Sequence, residues 1–123
     1  MYTQTHSVTV TTDGDGDGIG YTPPIRGQIR EIVYVKDDYA AGVDFTITTN
    51  TTGRTVWTQE NVDASANVQP RRPCHGTDGA ALYFNDEGDE PVTAPIAMGG
   101  ELLKIVVAAG GANKSGTFHV VCA

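Results

Sequence analysis

The sequence predicts an all-β protein: an antiparallel β-sandwich, jelly-roll-like, with seven to nine strands. Three observations predict it. No stretch carries apolar residues at a sustained helical spacing. The chain closes on two runs of β-forming residues, Leu102–Ala108 and Gly116–Val121, around the polar turn Ala109–Ser115, a pattern that reads as a hairpin. Shorter apolar runs broken by Gly, Asn and Asp recur upstream, at a spacing that suits two packed antiparallel sheets.

Taken in order, the first strand is His6–Thr12, with Val8 and Val10 on one face and threonines on the other. Asp13–Gly18 breaks it. Gln28–Val35 is the second strand, with Ile29, Val33 and Val35 on one face and Ile32 and Tyr34 on the other. Apolar on both sides, it belongs at the centre of a sheet. Lys36–Gly42 turns the chain, and Val43, Phe45 and Ile47 then alternate with Asp44, Thr46 and Thr48 in a one-sided strand. Asn50–Gly53 is a turn into Arg54–Gln59, where Val56 or Trp57 faces the core. Val62–Val68 is a short strand ended by Pro70 and Pro73. Gly79–Phe84 is another run, followed by the acidic loop Asn85–Glu90. Pro95–Met98 is an edge piece, since proline has no N–H for a ladder.

At 123 residues the chain suits one domain, residues 1–123, with a short N-terminal arm over about residues 1–5. The apolar fraction of 39% is low, but the 15 glycines bring it level with globular proteins, whose usual count of about 45–50% includes glycine. Net charge is −7 and the pI is about 4.6, which argues against nucleic-acid binding because phosphate contacts need clustered Lys and Arg. The basic pair Arg71-Arg72, between Pro70 and Pro73, is expected to pin a loop to carboxylates. No apolar run reaches membrane-spanning length, so no membrane partner is expected. The N-terminus lacks the pattern of a signal peptide, so synthesis in the cytoplasm is expected, and Asn50-Thr-Thr52 and Asn113-Lys-Ser115 read as turn residues rather than glycosylation sites. Cys74 and Cys122 read as reduced, small buried hydrophobes; whether they pair is left to geometry.

No catalytic or cofactor-binding constellation stands out. Asp13–Gly18 begins like an EF-hand loop, but its twelfth position is Pro24 instead of a bidentate Glu, so it reads as a solvated, flexible hairpin loop. Cys74, His75, His119 and Cys122 are zinc-type ligands without the paired spacing of zinc sites. Ser7, Ser65 and Ser115 sit in no nucleophile elbow, and neither a Walker loop nor a dinucleotide fingerprint is present. The expectation is a non-enzyme with no cofactor and no metal. Trp57 is expected in the core. Tyr2 and Gln4 lie on or beside an arm able to reach a symmetric neighbour.

The order of motifs is distinctive: Gly20–Pro24 leading into Gly27–Val35, then Gly42–Thr48, Val56–Thr58, Ala64–Ala66 before Pro70-Arg71, and finally Lys104–Gly111 with Gly116–His119. In that order the chain resembles small all-β structural proteins from the head gene modules of tailed bacteriophages, over most of its length after about Thr5. Asp13–Gly18 is the least typical stretch. The resemblance implies a head decoration, or cement, protein: a β-sandwich, often a homotrimer, bound to the major capsid protein on the outer surface of the virion shell. The contact residues expected from exposure are Tyr2, Gln4, Arg71, Arg72 and the Asn85–Glu90 loop with Asp86 and Glu87. The alternative is a tail or tail-tip accessory sandwich that binds host-surface carbohydrate through Tyr39, Trp57 or Tyr83.

Overall fold

The computed structural model describes residues 3–84 and 90–123. Among them the chain forms ten strands: β1 (Gln4–Thr11), β2 (Gly18–Tyr21), β3 (Arg26–Val35), β4 (Val43–Thr49), β5 (Thr55–Val62), β6 (Ala66–Val68), β7 (Arg71–Pro73), β8 (Thr93–Gly99), β9 (Leu103–Ala108) and β10 (Ser115–Cys122). They make two antiparallel sheets. The larger runs β1-β10-β3-β8-β7, with β6 also on β3; the smaller runs β2-β9-β4-β5. The count exceeds the expected seven to nine because β6 and β7 are three-residue strands added to the main body.

Setting β6 and β7 aside shows the logic of the remaining eight. The first strand pairs with the last (β1–β10), the second with the second-last (β2–β9), the third with the third-last (β3–β8), and the middle two with each other (β4–β5). The chain is thus one long hairpin. It is rolled so that β10 also pairs β3 and β9 also pairs β4. That wrapped order is a jelly roll.

The rolling overturns the expected terminal hairpin. β9 lies between β2 and β4, while β10 lies between β1 and β3 in the other sheet, so the two runs never pair. The loop between them has Ala109, Gly111 and Asn113 at positive φ and spends its backbone groups on other loops. Gly110 N–H donates to the Gly16 carbonyl (3.0 Å), Asn113 N–H to the Asp13 carbonyl (3.0 Å), and the Gly110 carbonyl accepts from Ala40 (3.0 Å). These bonds carry the chain across the sandwich instead of back beside itself. For the same reason the Asp13 loop is no hairpin: it links β1 and β2, which belong to different sheets.

Strand β3 is central, as its two-sided apolar pattern requires, but its faces differ from simple alternation. Val121 pairs Glu31 while Cys122 pairs Ile29, a one-residue bulge in β3. The extra residue reverses the parity, so Ile29 joins Ile32 and Tyr34 in the core instead of Val33 and Val35 outside. The Gly79–Phe84 run forms only isolated bridges, His75 to Ala81 and Tyr83 to Pro91, because no sheet lies alongside to extend it. Val62–Val68 is split: Val62 ends β5 and only Ala66–Val68 forms a separate strand. Pro95 is not at an open edge, since it pairs Arg71 of β7. Pairing of β8 with β3 stops at Ile96, one residue short of the proline that has no N–H to give. The one-sided strand β4 and the turn at 50–53 are as expected, and Trp57 is the inward residue of β5.

The core lies between the sheets. Tyr34 of β3 and Phe118 of β10 meet Phe45 of β4 at ring-centroid distances of 4.9 and 5.2 Å, and Phe45 also meets Trp57 edge-on at 4.9 Å. One end is plugged by Tyr39 from the 36–42 loop, whose hydroxyl donates to the Val10 carbonyl. Its ring lies against Gly116, where an added Cβ would sit 2.1 Å from a ring carbon. Gly116→Ala is therefore expected to destabilise the fold by about 3 kcal/mol, because the Tyr39 ring is buried and tied by its hydroxyl to Val10 and cannot swing aside; chemical denaturation measures it.

Two core tyrosines differ in how their hydroxyls are satisfied. Tyr39 has its carbonyl partner, whereas the buried Tyr34 hydroxyl has no hydrogen-bond partner among the described residues. Burial, helped by nearby Asp37, pushes the Tyr34 hydroxyl up to about 12, so it stays neutral. Tyr34→Phe is expected to be neutral or stabilising, whereas Tyr39→Phe costs about 1 kcal/mol or more, in paired denaturation curves.

Candidate partner-binding surfaces

Of the residues expected to contact a partner, Tyr2, Asp86 and Glu87, with most of the Asn85–Glu90 loop, lie outside the described residues. Gln4 is exposed on β1 opposite Cys122. Arg71 and Arg72 are exposed on β7. The register puts Gln4 and Arg71 on nearly the same transverse row of the larger sheet, at opposite edges: Gln4 opposes Cys122, Cys122 opposes Ile29, Ile29 opposes Ile96, and Arg71 opposes the adjacent Pro95. Four inter-strand steps separate them by about 19 Å. They form no single compact site; a partner touching both must span the sheet.

The two arginines have different surroundings. Arg71 Nε donates to the Thr93 hydroxyl and its terminal nitrogen to the Thr93 carbonyl, both at 2.8 Å. It pins β7 to β8, not a loop to a carboxylate as expected, because the strand pairing brings a hydroxyl and a carbonyl within its reach. Arg72 has neither an ion pair nor a hydrogen-bond partner among the described residues. Its guanidinium is the one available to a partner carboxylate.

Two apolar surfaces escaped the sequence reading. The excursion over residues 63–92, between β5 and β8, carries Leu82, Tyr83 and Phe84, all exposed, Phe84 at 72%. Backbone bonds hold this run in place: Leu82 N–H donates to the Cys74 carbonyl (2.9 Å), Cys74 N–H to the Val92 carbonyl (2.8 Å) and Val92 N–H to the Leu82 carbonyl (2.9 Å). Three consecutive apolar residues without alternation were the available signal, since a half-buried strand would have interleaved polar ones. The second surface is on β2. Gly18 and Gly20 face inward, where a Cβ on Gly20 would meet Val10 at 2.7 Å and Val8 at 3.0 Å, so Ile19 and Tyr21 are turned out to solvent.

The aromatics proposed as a carbohydrate platform divide. Tyr39 and Trp57 are buried, and Tyr83 alone of the three is exposed. Stacking on a sugar ring needs an open face, which a core aromatic does not have.

Ser7 Oγ lies 2.7 Å from His119 Nδ1, a Ser–His pair invisible in the sequence because 112 positions separate the two. It belongs to a cross-strand row on the outer face, with Thr9–Thr117 at 3.2 Å and Thr11–Ser115 at 2.9 Å. No carboxylate orients His119 among the described residues, so the pair reads as part of that row and not as an activated nucleophile. Cys74 and Cys122 are both free thiols, half-buried and buried, and burial pushes the Cys122 thiol up. Among the described residues no three His, Cys, Asp or Glu side chains gather into a metal-holding cluster.

Two carboxylates organise loops. Asp13 Oδ1 accepts from the N–H groups of Asp15 (2.8 Å) and Asp17 (3.1 Å), so the Asp13 loop is a braced turn. The Asp17 and Asp15 N–H groups hold its carboxyl below the usual range. At the opposite end Glu101 accepts from the N–H groups of Thr51 (2.8 Å) and Thr52 (3.0 Å) and from the Thr52 hydroxyl (3.0 Å), with Arg54 at 3.6 Å. The Thr52 N–H, more than any other group, holds the Glu101 carboxyl below its ordinary 4.5.

No family model and no curated relative matches the chain. Among solved structures it is similar to a protein in the cryo-EM structure of the virus-like particle of giant freshwater prawn Macrobrachium rosenbergii extra small virus. Identity is 14% and the TM-score 0.39, over 98% of this chain and 76% of that one. A likeness of this degree decides neither family nor function.

A carboxyl whose folded value is depressed contributes stability above its unfolded value and loses it as pH falls through the folded one. The Glu101 contribution is therefore present above 4.5 and lost below it. Melting temperatures recorded from neutral pH into the acid range are expected to fall less steeply below 4.5 for Glu101→Gln than for the wild type.

Proposed function

We propose that this protein is a decoration protein of a tailed-phage head, bound to the outside of the major capsid shell and stabilising it by bridging neighbouring subunits. The motif order described above motivates the reading. The observation that carries it structurally is the exposed Leu82–Tyr83–Phe84 run, held outward by backbone bonds on an excursion from a well-packed jelly roll. Apolar side chains presented this way favour a protein surface that covers them. Arg72 on the same excursion supplies a cation for a partner carboxylate. Gln4, exposed at the opposite side of the larger sheet, offers a second point of contact about 19 Å away. Two separated contacts suit a clamp: each one is weak, but once the first is made the second becomes intramolecular, and their energies act together.

The rigid roll fits that task. A bridge resists separation of two capsid subunits only if it does not itself deform, and the aromatic contacts between the sheets supply the stiffness.

The test is co-sedimentation of purified protein with capsids that lack it, with copy number read by quantitative mass spectrometry. Saturable binding at a simple fraction of the capsid-subunit number is expected. Phe84→Ser and Arg72→Glu are each expected to weaken binding about tenfold or more without changing the far-ultraviolet spectrum, consistent with hot-spot losses of 1–2 kcal/mol. Failure to bind capsids, together with binding to host-surface glycans, would replace this reading with the tail-accessory one.

A further inference from the structure

We propose that the free edge of β1 is a self-association site, where two copies of the chain pair their β1 strands antiparallel about a two-fold axis and join their larger sheets into one. Among the described residues β1 is the last strand of its sheet and pairs with β10 alone. Over residues 5–9 the side-chain hydrogen bonds all run to β10, and no backbone bond leads from this stretch to another described segment. β2 packs against Val8 and Val10 from the inside without pairing. The N–H and C=O groups along the far side of β1 are complementary to one thing, another extended strand.

The other edges are guarded, and β1 is not. β2 is four residues long, half of them glycine, and follows Asp13, Asp15 and Asp17. β5 carries Glu60, and its pairing with β4 is broken by register shifts at two places. β6 and β7 are three residues each, and β7 consists of Arg71, Arg72 and Pro73. Short length, charge, proline and bulges are how sheets keep an edge from pairing. β1 has eight residues in unbroken register with β10 and contains no Asp, Glu, Lys, Arg, Pro or Gly. On a chain of net charge −7 it is also the edge along which two copies meet least repulsion.

The side chains name the occupant. Thr5, Ser7, Thr9 and Thr11 all point outward, the inward positions being Val8 and Val10. Antiparallel self-pairing that respects the pleat sets outward residues opposite outward residues, hydroxyl facing hydroxyl. The same arrangement already joins β1 to β10 at Thr9–Thr117 and Thr11–Ser115. The strand is thus complementary to itself, whereas a charged strand would find no counter-ion on it. Such a contact is isologous and closes at two copies, not at the three implied by the resemblance. The inference stands apart from the decoration reading.

Sedimentation equilibrium of the full chain over a range of concentrations tests it. The mass is expected to rise from 13.0 kDa to twice that value, and at lower concentration in high salt, because screening removes the repulsion between the two acidic bodies. Thr5→Lys places a charged side chain on the pairing edge of each copy and is expected to weaken the dimer at least tenfold, although it lowers the net negative charge. Thr55→Lys, at an exposed site on β5, makes the same charge change and leaves the dimer intact. Amide hydrogen exchange over residues 5–9 is expected to slow with concentration in the wild type. Circular dichroism confirms that both variants fold. A chain that stays at 13.0 kDa, a trimer, or a dimer undiminished in Thr5→Lys overturns the proposal.

Discussion

Phe45 is the residue through which the two sheets hold one another. Its ring meets Tyr34 and Phe118 across the interior and Trp57 on its own sheet, all within 5.2 Å between centroids. Pairs of this kind add about 0.5–1.5 kcal/mol each beyond the area they bury. Their larger consequence is topological. The four rings come from β3, β4, β5 and β10, so the cluster forms only when the last strand has found its place between the first and the third. A jelly roll pairs its first strand with its last, and most of its contacts are distant in sequence. Such folds assemble slowly and cooperatively, since loop closure comes before the packing that rewards it.

Two kinds of closure finish the body. At one end three inter-sheet loops exchange backbone bonds and Tyr39 fills the opening above Gly116. At the other, Thr22 and Glu101 serve the 22–25, 50–53 and 100–102 loops: Thr22 Oγ1 accepts from Leu103 N–H (2.9 Å), and Glu101 accepts from the 51–52 backbone. With both ends tied by the chain's own groups, the roll presents a mostly polar exterior. Among the described residues the exposed large apolar side chains lie on β2 and on the 63–92 excursion. The architecture thus separates a packed body from the outlying segments that carry its exposed apolar side chains.

The residues first expected to make contact share a physical history with those that were missed. Gln4 and Arg72, expected from exposure, do lie on the surface. Arg71 is exposed too, yet pairing of β7 with β8 turns its guanidinium onto Thr93, which takes two of its N–H groups. Tyr39 and Trp57 are contact aromatics only in the carbohydrate-binding alternative, and Trp57 is expected in the core. The position of a loop above the open end of the sandwich buries Tyr39, and the parity of β5 buries Trp57.

What the sequence determined by itself is local: which residues are extended, which face of each strand is apolar, and where the chain must turn. The alternation in β1 and β4, the Asn50–Gly53 turn and the absence of helical spacing were legible because each depends on residues within a few positions of one another. Only the tertiary structure decided which strands pair. Ladder hydrogen bonds come from backbone groups that nearly every residue carries alike, so Leu102–Ala108 and Gly116–Val121 contain nothing that says whether they meet each other or separate strands. Their separation is settled by Gly16, Asp13 and Ala40, some 70–100 residues earlier: the Gly16 and Asp13 carbonyls accept, and the Ala40 N–H donates, the backbone bonds a hairpin turn would have kept. The bulge in β3 and the exposure of Leu82–Phe84 have the same origin: burial belongs to what lies opposite a residue, and that is a property of the folded sheets rather than of the residue's neighbours in sequence.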